Sequence, residues 1–180
     1  MSFIKKIKNT LGHLLLTNEI AAHKKKSRML AYEQVQHVGI VYNATYIEKE
    51  AMVHQYANKL RADGKKVFLL GYVEMKQLPG NKKFSLQSEY FWQETLSPLN
   101  LPVKSKISRF IEMEFDWLLN IYTEPILPML AVAAYSHAHY RIGPAIHGGV
   151  RYFDAMIDTG ENSSLAFLIE QMDFYLKVIK

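Results

Sequence analysis

The sequence predicts an α/β protein: a three-layer, Rossmann-like domain with a mostly parallel sheet of about five strands, carrying a basic amphipathic helix at its amino terminus. Three observations lead there. Short, nearly continuous apolar runs at residues 37–42 and 66–72 read as strands buried on both faces. A helical segment separates them, which is the layout of a βαβ unit with a right-handed crossover. The charge is also split along the chain. Residues 1–30 hold Lys5, Lys6, Lys8, Lys24, Lys25, Lys26 and Arg28 against Glu19, a net charge of +6, whereas residues 31–180 hold 15 bases and 16 acids, a net charge of −1. The basic character therefore belongs to an arm (residues 1–32), and the body (residues 33–180) is near neutral.

In the arm, Ile4, Ile7, Leu11 and Leu14 recur at helical spacing. Leu15 and Leu16 widen the stripe, Lys5 and Lys8 lie beside it, and Gly12 and His13 interrupt it. The unbroken apolar stretch at 14–16 is far shorter than the ~20 residues a bilayer span needs. A basic cluster at 23–28 stands where a secretory signal would be cleaved, so neither a span nor a signal is expected. The seven bases of the arm suit phosphates of RNA or of the ribosome. They equally suit an anionic membrane surface or a partner protein. A plainer role is a helix covering its own body, followed by a solvated basic turn.

In the body, residues 37–42 form the first strand, ending at Asn43-Ala44-Thr45. Thr45 is placed to cap the following helix, with Glu48 as capping-box partner. That helix runs to about Ala62 and stops at Asp63-Gly64, with Ala51, Met52, Tyr56 and Leu60 as its buried side. Residues 66–72 form the second strand. Residues 74–106 are an irregular insertion with a turn at Pro79-Gly80-Asn81, one short extended piece at 89–92, and aromatic residues Phe84, Tyr90, Phe91 and Trp92. Insertions of this length are often functional; their aromatics either stack ligands or fold inward as anchors. A third strand is expected at 115–122. A helix opened by Pro125 and Pro128, with Pro125 fitting the first turn better, follows and runs to about Ala138, with Leu127, Leu130, Ala131, Ala134 and Ala138 against the sheet. Short strands at 141–144 and 152–158, a turn at Gly148-Gly149, and a final helix from Leu165 to about Val178 complete the chain. That helix would bury Leu165, Leu168, Ile169, Met172, Tyr175 and Leu176.

Residues 115–120, the alanine-rich helix after them and Tyr140-Arg141-Ile142-Gly143 together resemble part of the amino-terminal, Rossmann-like half of lipopolysaccharide heptosyltransferases. That half has an Asp-x-hydrophobic-Ile-Asp strand, a helix of small residues and an Arg-Ile-Gly strand. The Gly-Asp pair that follows its first strand is replaced here by Asn43-Ala44-Thr45. The half that carries most of the nucleotide-sugar site has no counterpart in these residues. The resemblance thus implies a fold rather than transferase activity. Over most of its length the chain resembles a small uncharacterised bacterial family of the Bacteroidota, which implies no functional residues.

The chemistry-bearing motifs are few. There is no Gly-x-Gly-x-x-Gly after the first strand, no phosphate-binding loop and no Gly-x-Ser-x-Gly elbow. The chain has no cysteine, so disulfides, thiolate metal sites and cysteine nucleophiles are excluded. His137, His139 and His147 lack metal-ligand spacing, and neither a metal nor a cofactor is expected. An open α/β sheet binds ligands at the carboxyl ends of its strands. Those ends carry Asn43, Thr45, Tyr72, Thr123, Glu124, Asp158 and Thr159, residue types that caps and turns also require. These readings favour a non-enzymatic, cytoplasmic binding protein docking through its arm to a ribosome, RNA or protein partner. The alternatives are a peripheral protein of the inner membrane and a degenerate nucleotide- or sugar-binding enzyme.

Overall fold

The structure, a computed structural model, describes residues 3–22 and 27–178. Helix α1 (Phe3–Ala22) leads into six strands and four further helices: β1 (His37–Asn43), α2 (Ile47–Ala62), β2 (Lys66–Val73), β3 (Ser88–Trp92), α3 (Ser108–Ile111), β4 (Trp117–Ile121), α4 (Leu127–Tyr135), β5 (Tyr140–Pro144), β6 (Ala155–Ile157) and α5 (Leu165–Val178). The strands form one sheet in the order β3-β2-β1-β4-β5-β6, and every pairing is parallel. Ile40 sits at the centre, level with Leu69 on one side and Leu119 on the other.

Both sheet faces are covered, which explains why the strands are apolar throughout rather than alternating. On one face Ile40, Tyr42 and Leu119 pack with Tyr56, Ala57 and Leu60 of α2 and with Leu168, Met172 and Leu176 of α5. On the other, Val41, Leu70 and Leu118 pack with Phe110 of α3, Leu130 and Ala131 of α4, and Leu16 of α1. The arm helix therefore belongs to the domain's second face. Its Gly12 permits the approach: a Cβ there would lie 2.8 Å from the Leu99 carbonyl oxygen and 2.9 Å from Leu127 Cδ2. His13 Nδ1 stands 3.0 Å from the Tyr152 hydroxyl. The chain after the helix is tied down as well. Arg28 N–H donates to the His139 carbonyl, and Ser27 Oγ–H donates to Asp154 Oδ1 at 2.5 Å.

The sheet has one more strand than expected. The extended piece in the insertion is not a loop segment but the edge strand β3, in register with β2 from Leu69↔Ser88 to Val73↔Trp92. The aromatic residues of the insertion divide: Phe91 and Tyr90 are buried, whereas Phe84 is exposed. Thr45 does not cap α2. Tyr46 is the cap residue and makes no side-chain cap bond, while Thr45 Oγ1 accepts from Glu74 N–H at 2.9 Å. Asp63-Gly64 ends α2 as expected, with Gly64 at φ +83, a left-handed conformation that suits glycine. The buried side of α2 is Val53, Tyr56, Ala57 and Leu60; Ala51 and Met52 are exposed. In α4 the first-turn proline is Pro128, not Pro125, and the helix ends at Tyr135 rather than near Ala138. Tyr175 of α5 points away from the core.

Candidate functional site: the cleft at the sheet reversal

From β1 the strand order proceeds one way through β2 to β3 and the other way through β4 to β6. The chain leaves the carboxyl ends of β1 and β4 in opposite directions, and a crevice must open between them. A cleft of about 250 Å³ lies there, lined by Asn43, Tyr46, Lys49, Glu74, Thr123 and Glu124, with Ile121, Tyr122, Ile126 and Leu165 as its apolar wall. This is just below the usual range of ligand pockets (~300–1,000 Å³) and matches a molecule of about one ring.

The loop after β1 is held by its own polar groups. Asn43 Oδ1 accepts from Thr45 N–H at 2.9 Å, Ala44 N–H donates to the Tyr72 carbonyl at 2.7 Å, and Thr45 is bonded to Glu74 as described. This closes an Asx turn and stitches the loop to the end of β2. It also leaves the Asn43 amide NH₂ as a donor on the cleft wall. Tyr46, exposed at the rim, has Lys49 Nζ 5.2 Å from its ring centroid, a cation–π contact that braces the ring. The first turn of α2 carries Glu48 and Glu50. These carboxylates already complement the positive helix end that would otherwise attract a phosphate. With Glu74 and Glu124 against Lys49, the cleft lining is itself net acidic.

Of the strand-end residues singled out from the sequence, Asn43, Thr123 and Glu124 come together in this cleft. Thr45 lies behind it as a support. Tyr72 points to the opposite layer, 3% exposed, where it packs on Phe91; burial pushes its hydroxyl up to about 12. Asp158 and Thr159 follow the edge strand β6, two positions beyond β4 in the sheet. There Asp158 Oδ1 accepts from Gly160 N–H and closes a turn. Tyr46, Lys49 and Glu74 were not identified from the sequence. Only the reversal of strand order brings the start of α2, the end of β2 and the end of β4 to one place, and strand order is not written in local patterns. Of the basic arm residues, Arg28 is exposed. Lys24, Lys25 and Lys26 lie outside the described residues, as do the side chains of Lys5, Lys6 and Lys8.

A second polar group flanks the cleft on the α2 side. Glu50 Oε1 accepts from the hydroxyls of Tyr90 at 2.9 Å and Tyr42 at 3.3 Å. Its other oxygen pairs with Lys82, whose side chain is only 4% exposed. His54 Nε2 lies 3.2 Å from the Tyr42 hydroxyl and 3.8 Å from Glu50. Burial raises the Tyr42 hydroxyl well above its ordinary range and also raises that of Tyr90. His54 is lowered, because burial outweighs the neighbouring carboxylate. Glu50 and His54 stand four residues apart on α2, the one local signal of this cluster. Among the described residues no group of three or more His, Asp or Glu could hold a metal ion.

A family model covers residues 8–179. The chain belongs to DUF6913, a family of unknown function. No curated protein and no solved structure matches it. The DUF6913 chain is thus an α/β protein with an all-parallel sheet, and no described helix is long and apolar enough to cross a membrane.

Proposed function

We propose that this protein is a non-catalytic binding protein whose cleft takes a small, neutral, hydroxyl-rich molecule of about one ring. The observation that carries the reading is the position of the cleft at the reversal of a 3-2-1-4-5-6 parallel sheet, where doubly wound folds bind their ligands. Its lining suggests the ligand class. Asn43 and Lys49 offer donors, Glu124 offers carboxylate oxygens that suit vicinal hydroxyls, and Thr123 offers both. Tyr46 provides an aromatic ring at the rim. The acidic balance of the lining and the acidic first turn of α2 disfavour phosphate and nucleotide, which separates a sugar-like ligand from a nucleotide. The reading assigns the lining recognition of the ligand.

A thermal-denaturation series tests this. Neutral monosaccharides and polyols should raise the melting temperature, while nucleotides and sugar phosphates should not. A ligand at 100 times its Kd stabilises by about 2.7 kcal/mol, worth several degrees in a domain of this size. The shift should be lost in Glu124→Gln combined with Thr123→Val. A larger shift with nucleotides, or none with any neutral polyol, would overturn the reading.

A further inference from the structure

We infer that the outward side of α1 docks the protein on an anionic lipid surface. The helix meets the body through Gly12 and Leu16, the latter fully buried. Leu11, Leu14 and Leu15, spaced to share the other side of the helix, are 47%, 59% and 49% exposed. The body thus uses the narrower, glycine-containing side of α1 and leaves a row of leucines uncovered. The sequence extends that row by helical spacing to Ile7 and Ile4.

Charge selects the occupant. Residues 1–30 hold seven bases and one acid. A second copy meeting this face would bring two strongly basic arms together, and like charges oppose that. Nucleic acid would satisfy the bases but leave the leucines in water, since phosphate contacts are made by polar and charged groups. An apolar row in a strongly basic stretch of sequence matches the boundary between acyl chains and anionic headgroups, where such helices lie in the plane of the surface. This inference does not rest on the cleft, and a failed ligand screen would leave it standing.

The test is flotation of the full chain with vesicles of phosphatidylcholine alone and of phosphatidylcholine with phosphatidylglycerol, at low and high salt. The expected result is flotation with the anionic vesicles only, weakened by salt. Leu11→Gln, Leu14→Gln and Leu15→Gln combined should lower partitioning by about tenfold or more with an unchanged melting temperature, because the inward residues are intact. Should that variant unfold, Lys24→Gln, Lys25→Gln and Lys26→Gln combined supply a second test, with partitioning again reduced by about tenfold. Flotation equal on both vesicle types or equal in both variants would overturn the inference. So would RNA binding without flotation, or a lipid-free dimer that the leucine variant dissolves.

Discussion

Two polar groups stand at the carboxyl edge of the sheet on neighbouring elements, and they behave differently. The cleft between β1 and β4 presents donors and acceptors to open space. The Glu50 cluster between α2 and β3 turns its groups on one another: a carboxylate, two tyrosine hydroxyls, a histidine and a nearly buried lysine. The two have similar residue types, and the cluster has the more perturbed groups. Yet a buried pair that satisfies itself has little left to give a ligand, and its perturbation follows from burial. Openness, not perturbation, separates the proposed binding surface from a structural clasp here. Lys82 comes from the helix-free connection between β2 and β3, so the clasp also explains how that connection is fixed to the body.

The largest effect is expected at Lys82. Lys82→Ala should cost about 3–5 kcal/mol in denaturant unfolding, since removing one partner strands the Glu50 charge. Replacing both partners by methionine should recover only part of that loss, because the Tyr42 and Tyr90 hydroxyls then lose their acceptor. If it recovers none, the cluster has a role other than fixing the connection.

Asp154 offers a second closed group. It accepts from the backbone and side chain of Arg141 and from Ser27. Burial opposes its charge, but these bonds prevail and hold its carboxyl below the usual range. Asp154→Asn should cost about 1.5–3 kcal/mol near neutral pH. Because the folded value is depressed, this contribution is present above the unfolded-state value of about 4. It is lost as pH falls through the lower folded value. The gap between wild-type and variant melting temperatures should therefore narrow on acidification below about pH 4.

Thr45 sits between the two regions, behind the cleft but not in it. Thr45→Val removes the acceptor of Glu74 N–H and should cost about 1 kcal/mol, with ligand affinity weakened through the displaced loop. In the cleft itself, Glu124→Gln and Thr123→Val should each change stability by less than about 0.5 kcal/mol. Each should weaken polyol binding about three- to tenfold in calorimetric titration. A large stability loss at Glu124 would place it with the clasps.

The fold was legible because burial on both faces makes the strands of a parallel sheet uniformly apolar. The runs at 37–42 and 66–72 could be read directly, and the turn at Gly64 marked where α2 ends. The edge strand β3 was visible only as a short extended piece; its pairing to β2 depends on a connection without a helix. Thr45 and Glu48 have capping-box spacing, but Glu74, distant in sequence, took the threonine hydroxyl. The cleft was half legible. Asn43, Thr123 and Glu124 follow from the rule that ligands gather at strand ends. Tyr46, Lys49 and Glu74 required the strand order, and so did the displacement of Asp158 and Thr159 to the far edge. In the arm, periodicity identified an amphipathic helix, but which side meets the body was decided by Gly12, read from the sequence only as an interruption.

On the proposed function, the open cleft, not the closed cluster, is where this protein meets its ligand. Backbone amide chemical-shift mapping during titration with neutral monosaccharides tests it most directly. Saturable shifts confined to residues 43–49, Glu74 and 123–126 are expected, with His54, Lys82 and Tyr90 unmoved. Saturable shifts centred on Glu50, His54 and Lys82 would contradict it.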